Sequence, residues 1–144
     1  MRALLTLLFA AAPAMAQPEP AAVDAAAYPW LADLPDAPPM VRLEDRFAPP
    51  AGFTRAPVAE GSFAAWLRGL PVRTDRMSVL AFDGRPLARP AAAIIALDVG
   101  DRDVQQCADS VLRLHAEYVW HRGRADGAAY HFTSGDRSSW KGWR

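Results

Sequence analysis

The sequence has one cysteine, Cys107, in 144 residues. A single thiol cannot close a disulfide within the chain. Cys107 is therefore free, paired with another chain, or buried, and each of these states implies different chemistry.

The sequence also lacks an excess of charge of either sign. It has 16 Lys and Arg residues against 16 Asp and Glu residues, and its formal net charge is zero. Proteins that bind nucleic acid neutralise rows of phosphates with an excess of basic residues. We therefore expect no nucleic-acid partner.

Motifs for metals and cofactors are missing as well. The three histidines and the one cysteine show no CxxC or HxxxH spacing, which metal sites commonly use. No glycine-rich loop of the phosphate-binding kind occurs in the sequence. We expect no metal ion and no cofactor.

The N-terminal apolar run, residues 3–12, is too short to cross a bilayer, which takes about 20 residues. It follows the basic residue Arg2 and precedes the small residues Ala14–Ala16. A basic start, an apolar segment and a small-residue cleavage site are together typical of a signal peptide. The sequence therefore predicts a signal peptide over residues 1–16 and a periplasmic or secreted protein without a stable membrane span. Cysteines are usually paired in such a compartment, so the lone thiol calls for an explanation.

Proline is frequent in residues 17–39, which contain six of them. Proline has no backbone N–H and disfavours helix in the residue before it. We expect a disordered, Ala/Pro-rich lead-in to a single domain over residues 40–144. Tyr28, Trp30 and Leu31 either pin this lead-in to the domain or leave it a simple tether.

Two helical patterns stand out after residue 40. Ser62 is a typical helix N-cap, and apolar residues at helical spacing follow it. A longer helical pattern starts at Asp103, where Gln106 three residues later resembles a capping box, and it ends at Gly123. Its predicted apolar face contains Val104, Cys107, Ala108, Val111, His115, Tyr118 and Val119.

Extended segments surround the longer helix. Residues 77–82 and 91–99 are predicted strands joined by a turn-rich loop over residues 83–90, and the second suits a central strand because it is almost continuously apolar. Residues 128–135 form a further predicted strand. A strand, a helix and a strand in succession predict a βαβ-like unit, and therefore an α+β or α/β layered domain. No cap closes the pattern at Arg144, so we expect an incomplete domain.

Cys107 falls in the first turns of the predicted longer helix. Unsatisfied N–H groups at a helix start favour a thiolate, which is the nucleophile of cysteine hydrolases. A catalytic thiol also needs a base within hydrogen-bonding distance. His115 would lie about 12 Å further along the helix at roughly 1.5 Å per residue, so only His131 remains as a base within the chain. In the alternative, Cys107 is a small apolar residue of the buried helix face.

Two weaker candidates lie near the thiol in the sequence. Gln106 would either donate a hydrogen bond to an oxyanion or cap the helix. Asp98, at the end of the predicted central strand, is either a functional carboxylate or the side chain of an Asx turn.

The C-terminal segment carries Trp140 and Trp143 among basic and polar residues. Their spacing predicts the buried face of a short, unfinished helix. In the alternative, exposed indole rings stack on a sugar ring or on a partner.

Three stretches resemble one family: GFTRAPVAEGSFAAWLRGLP (52–71), LDVGDRDVQQCADSVLRLHAEYVW (97–120) and HFTSGDRSSWKGW (131–143). They resemble the bacterial envelope proteins grouped as domain of unknown function 4846, from about Gly52 to the C-terminus. Longer members carry a histidine strand similar to that of NlpC/P60 and papain-like cysteine hydrolases. This resemblance implies that Cys107 is the nucleophile and that its base is a histidine beyond residue 144.

Two functional hypotheses follow. The first is a cysteine hydrolase, or the N-terminal half of one, that cleaves peptide or amide bonds of the cell envelope. The second is a non-catalytic periplasmic binding or structural domain in which Cys107 belongs to the core and aromatic surfaces hold a glycan or a partner.

Overall fold

Short helices and strands build the fold in a computed structural model, which describes residues 21–34 and 37–143. The predicted signal peptide, residues 1–16, lies outside the described residues. The predicted α+β class is confirmed. Within the described ranges the helices are α1 (Leu43–Arg46), α2 (Phe63–Arg68), α3 (Cys107–His121) and α4 (Trp140–Trp143), the strands are β1 (Met40–Arg42), β2 (Pro71–Arg73), β3 (Ser78–Leu80), β4 (Pro86–Pro90), β5 (Ala129–His131) and β6 (Arg137–Ser139), and 3₁₀ turns lie at Ala25–Ala27, Pro29–Asp33 and Ala125–Gly127.

The described strands pair as three separate antiparallel ribbons, β1 with β2, β3 with β4, and β5 with β6. None of these described strands runs parallel to its partner, so the predicted βαβ-like unit is wrong. A parallel pair needs a crossover between two strands of one sheet. Here the segments before and after α3 belong to different ribbons, and each ribbon closes locally.

The segment predicted as a central strand, residues 91–99, contributes one isolated bridge, which places Ile95 opposite Val72 of β2. Beside this bridge, the N–H of Ala96 donates to the carbonyl of Pro71 at 2.8 Å. The prediction of a full strand is wrong. The segment is instead an extended connection. Ala96 is buried, and Ile95 and Leu97 pack against the core.

The predicted hairpin is present, but its second strand begins earlier in the sequence than predicted. β3 lies inside the first predicted strand, whereas β4 uses residues that were assigned to the loop. The turn closes because the N–H of Ala81 donates to the carbonyl of Arg85 at 2.8 Å. The carboxylate of Asp83 also accepts from the N–H of Arg85 at 3.0 Å, so the chain reverses early.

The core centres on the rings of Tyr28, Trp30 and Trp66, whose centroids lie 5.2–5.9 Å apart. The Tyr28 hydroxyl donates to the carbonyl of Trp66 at 2.8 Å. The Trp30 indole N–H donates to the carbonyl of Ala96 at 2.7 Å, and the Trp66 indole N–H donates to the carbonyl of Ala27 at 2.9 Å. Burial raises the pKa of Tyr28 to about 12, so its hydroxyl stays a hydrogen-bond donor at neutral pH. Each buried ring therefore keeps its polar group satisfied.

Residues 21–34 contribute Tyr28 and Trp30 to the packed core, which corrects the predicted disordered lead-in over this stretch. Pro29 stands at the start of the 3₁₀ turn Pro29–Asp33, where a missing N–H costs no hydrogen bond. Leu31 packs against the aromatic cluster as well. The interpretation in which Tyr28, Trp30 and Leu31 pin the segment to the domain describes the structure, and the simple tether does not.

The helix predicted after Ser62 is confirmed as α2. The Ser62 hydroxyl oxygen accepts from the N–H of Ala65 at 3.2 Å, and Gly69 follows as the C-cap. This helix places Trp66 in the core.

α3 begins at Cys107, later than the predicted start at Asp103. Gln106 is the N-cap residue, and its backbone N–H donates to the carboxylate of Asp109 at 3.1 Å. The capping box predicted for Asp103 and Gln106 therefore forms three residues later, between Gln106 and Asp109.

α3 packs against the aromatic core through Leu114 and Tyr118. Val104 and Val111 of the predicted apolar face are 69% and 65% exposed, so that face was predicted wrongly apart from Tyr118 and the half-buried Val119. The core offers α3 a single surface, made by the aromatic rings of α2 and of the N-terminal segment. That surface covers a narrower strip of α3 than the predicted apolar face, so Val111 remains exposed.

α4 confirms the predicted short helix in the C-terminal segment. Trp140 is half-buried, whereas Trp143 is 75% exposed, so only the first of the two rings faces the domain. None of the described helices combines the length and the apolar composition that crossing a membrane requires.

Candidate functional site

Cys107 is the first residue of α3, and its side chain is exposed. The interpretation that placed this residue in the core is therefore wrong. The thiol makes no hydrogen bond within the described part of the chain. A catalytic thiol needs a base in hydrogen-bonding contact, and no such contact is present among the described residues.

The predicted partners of the thiol make no hydrogen bond to it within the described residues. His115 has its Nδ1 at 3.0 Å from the Tyr130 hydroxyl, and His131 is exposed on β5. The Asp98 carboxylate accepts from the N–H of Gly100 at 3.0 Å, which is the Asx turn. Gln106 caps α3. No hydrogen bond joins Cys107 to Gln106, His131 or Asp98 within the described residues, and the catalytic roles of these residues stay predictions.

Native protein is expected to react through Cys107 with a chromogenic disulfide reagent, stoichiometrically and without denaturant, because the thiol is exposed. The absorbance of the released thiolate measures the reaction. Cys107→Ser is the blank. Reaction that begins only after denaturant is added would show that the thiol is buried.

A groove lies between α3, the 3₁₀ turn Ala125–Gly127, the β5–β6 hairpin and α4. It encloses about 450 Å³, within the range of small-molecule sites. We call it the tryptophan groove, because three tryptophans are among its lining residues. Its lining residues are Arg113, Ala116, Glu117, Trp120, Ala125, Ala128, Tyr130, Ser138, Ser139, Trp140 and Trp143.

Local contacts hold the three indole rings in place. The backbone N–H of Trp140 donates to the carbonyl of Ala128 at 3.1 Å, which seats α4 against the 3₁₀ turn. The rings of Trp120 and Trp140 meet nearly edge to face with centroids 5.2 Å apart, and those of Trp140 and Trp143 lie 5.6 Å apart. Trp120 is 53% exposed. A concave cluster of partly exposed tryptophans marks a binding surface more strongly than scattered apolar residues do.

The groove carries two opposite charges that cancel each other. Arg113 Nε lies 3.5 Å from a carboxylate oxygen of Glu117. The guanidinium of Arg113 also donates to the side-chain oxygen of Gln105 at 2.8 Å and to the carbonyl of Asp98. Arg113 therefore binds the loop before α3 to the helix. Because Glu117 carries the opposite charge, the groove lining has no net formal charge.

The remaining polar groups of the groove are few. Burial raises the pKa of Tyr130, so its hydroxyl is neutral at physiological pH. The Ser139 hydroxyl oxygen accepts from the N–H of Gly142 at 3.1 Å. The Ser138 hydroxyl, which is on a half-buried residue, makes no hydrogen bond to any other described residue. No group of three or more His, Cys, Asp and Glu in the described ranges is placed to hold a metal ion.

A profile of the family described as domain of unknown function (4846) matches residues 43–144, well over half of the chain. The chain belongs to this family. The resemblance that the three sequence stretches indicated is thus confirmed for domain 4846. No curated protein and no solved structure gives a match.

The domain 4846 match contains the whole tryptophan groove but begins after the first core aromatics. It starts at residue 43, whereas Tyr28 and Trp30 belong to the central cluster of this chain. The folded unit therefore extends further toward the N-terminus than the family match does. The sequence pattern indicates Trp140 and Trp143 as candidates, but it predicts no site role for Trp120, Arg113 or Glu117. Only the spacing of Arg113 and Glu117 along one helix face was available as a signal.

Proposed function

We propose that this protein is a non-catalytic binding domain that holds a sugar ring of a cell-envelope glycan in the tryptophan groove. One observation carries the proposal: Trp120, Trp140 and Trp143 all line one cavity of about 450 Å³. The apolar C–H face of a sugar stacks on an indole ring, while its hydroxyl groups reach polar side chains at the rim. A mostly apolar cavity with a few polar groups is the usual form of a ligand site.

The charge balance of the groove supports a neutral ligand. A cationic ligand would be favoured by an unpaired carboxylate beside the rings, because opposite charges attract. Here Glu117 lies beside Arg113, which neutralises it. The ion pair still offers hydrogen-bonding groups of both kinds to hydroxyls of a neutral sugar.

The signal-peptide pattern of residues 1–16 supports a location in the periplasm or outside the cell, where envelope glycans occur. We therefore place the protein there and name an envelope glycan as its partner.

A cysteine hydrolase that acts on envelope peptide or amide bonds is the second candidate. The exposed position of Cys107 at the first residue of a 15-residue helix favours it. Its base would be His131 or a histidine outside this chain. Hydrolysis of envelope peptides that disappears in Cys107→Ser would establish this activity, and sugar binding should be unchanged in the same variant.

Trp120→Ala is expected to weaken binding of soluble envelope glycan fragments about tenfold, which corresponds to about 1.4 kcal/mol. The ring is half-exposed, so its removal takes away a stacking surface and leaves the core intact. Titration calorimetry measures the affinity.

Phe132→Ala is the matched control, because Phe132 is an exposed aromatic residue outside the groove lining. It should bind like the parent protein. Equal affinities for the two variants, or no binding by the parent protein, would contradict the proposal.

A further inference from the structure

We infer that an exposed apolar loop, residues 47–55, binds this protein to the surface of an anionic lipid bilayer. We call these residues the apolar loop. The inference does not depend on the proposed function, because none of these residues lines the tryptophan groove. Three features carry it: an apolar sequence in an exposed position, a shape fixed by hydrogen bonds, and arginines beside the loop that no ion pair neutralises.

The apolar loop is exposed although its side chains are almost all apolar. All residues from 45 to 57 are exposed, and Phe53 is 72% exposed. Between Arg46 and Arg55 the only polar side chain is that of Thr54. An exposed apolar stretch commonly marks a contact with a protein or with a membrane. Removing the Phe53 ring from water would therefore be favourable.

Hydrogen bonds fix the shape of the apolar loop. The guanidinium of Arg55 donates to the carbonyl of Phe47, which joins the two ends of the loop. Within the loop the N–H of Phe53 donates to the carbonyl of Pro50 at 3.0 Å, and Gly52 supplies the φ of 83° that this type of turn requires. A loop held in this way loses little conformational entropy when it binds.

Three arginines give the apolar loop and its surroundings a positive charge. Besides Arg55, the guanidinium of Arg68 donates to the carbonyl of Ala56 at 2.8 Å. The guanidinium of Arg46 lies over the ring of Phe47, 5.2 Å from its centroid. None of these three arginines forms an ion pair within the described residues.

The acidic residues near the apolar loop do not cancel this charge. No Asp or Glu occurs between residues 46 and 59. Glu44 and Asp45, which precede the loop, lie 3.0 and 2.8 Å from the guanidinium of Arg42. These two carboxylates stand against Arg42 and the three arginines of the loop region, which leaves a net charge of +2. Phosphates of anionic lipid headgroups complement this charge while the apolar side chains enter the bilayer surface.

The size of the apolar loop favours a bilayer over a protein partner. A stable protein interface usually buries about 800 Å² on each side and involves about 20–30 residues of each partner. The loop has nine residues. A bilayer surface accepts a few apolar and aromatic side chains without a matching pocket, and basic residues add to the attraction.

Co-sedimentation with lipid vesicles tests this inference. The chain starts at Gln17, the product of the predicted signal-peptide cleavage, because the apolar residues 3–12 would bind a bilayer by themselves. One set of vesicles contains equal amounts of phosphatidylglycerol and phosphatidylcholine, and the other contains phosphatidylcholine alone. We expect about tenfold or stronger binding to the anionic vesicles, and we expect that binding to weaken in high salt. No binding to either set, or equal binding to both, would overturn the inference.

Phe53→Ser should weaken binding to the anionic vesicles about tenfold or more, because it removes the most exposed ring of the apolar loop. An unchanged near-ultraviolet circular dichroism spectrum shows that this variant is folded. Phe132→Ser is the matched control, since Phe132 is 64% exposed in another part of the chain, and it should bind like the parent protein.

Equal binding by the two variants would remove the apolar loop from the contact and overturn the inference. Self-association of the parent protein that Phe53→Ser abolishes, without any vesicle binding, would assign the loop to a protein partner and would also overturn it.

Discussion

A chain that starts at residue 40 is expected to lose cooperative unfolding, whereas a chain that starts at residue 21 keeps it. The deletion removes Tyr28 and Trp30, which are 3% and 6% exposed in the core. It also exposes Trp66 and leaves the carbonyl of Ala96 without the indole N–H that it accepts from. Truncating one buried aromatic residue to alanine costs about 3–5 kcal/mol, and a small domain is stable by only about 5–15 kcal/mol.

Thermal and chemical unfolding followed by near-ultraviolet circular dichroism measure this difference, because the signal reports the packing of the aromatic rings. The comparison also tests whether the region that matches the family, which begins at residue 43, folds without the segment before it. A sharp, native-like transition in the shorter chain would show that the domain is complete without its N-terminal aromatics. Trp30→Ala in the chain from residue 21 provides an intermediate case.

Gly69→Ala is expected to destabilise the protein by about 2–3 kcal/mol through steric overlap alone. A Cβ atom at this position would lie 2.5 Å from the hydroxyl oxygen of Tyr28, closer than real contacts allow. Gly69 has φ −81°, which alanine adopts without strain, so the backbone contributes nothing to the cost. The Tyr28 ring cannot withdraw easily, because it is packed against Trp30 and Trp66.

Gly127→Ala is the matched control for Gly69→Ala. A Cβ there meets nothing within 4 Å, and its backbone is outside the left-handed region. That substitution should be neutral or stabilise by about 0.4–1 kcal/mol, since alanine restricts the unfolded chain. Urea unfolding gives the free energies of unfolding for both variants. Equal stabilities would show that the Tyr28 hydroxyl does not occupy the space beside Gly69.

Adding Tyr28→Phe to Gly69→Ala should recover part of the lost stability, because the clashing oxygen is gone. Tyr28→Phe by itself should cost about 1 kcal/mol, the usual net contribution of one hydrogen bond. Residues in direct contact give such non-additive free energies. Additive effects would mean that Gly69→Ala acts through something other than Tyr28.

In the tryptophan groove, the local sequence predicts some of the aromatic residues, whereas tertiary packing brings in the others. The spacing of Trp140 and Trp143 is a local signal, and the short helix that it predicts is present as α4. Trp120 joins these rings from a different element, at 5.2 Å from Trp140. No pattern in the sequence specifies that distance, because it depends on how the β5–β6 hairpin packs against α3.

Cys107 also combines a feature that the local sequence predicts with one that depends on tertiary packing. Its place at the start of a helix follows from local capping groups, and the sequence located it to within a few residues. Its exposure depends on which side of α3 meets the core. The rings of Phe63 and Trp66 settle that by packing on Tyr118, with centroids 5.2 and 5.8 Å away.

The sequence by itself determined the class of the fold, the helix that Ser62 caps, the short C-terminal helix and the membership of the domain 4846 family. The two helices rest on interactions between residues a few positions apart, which a pattern records directly, and the family membership rests on sequence similarity. The tertiary structure alone decided that Tyr28 and Trp30 belong to the core, that residues 91–99 form no full strand, and that the tryptophan groove exists. Each of these depends on pairing between distant segments, whose free energy comes from shared burial and from hydrogen bonds that no single segment contains.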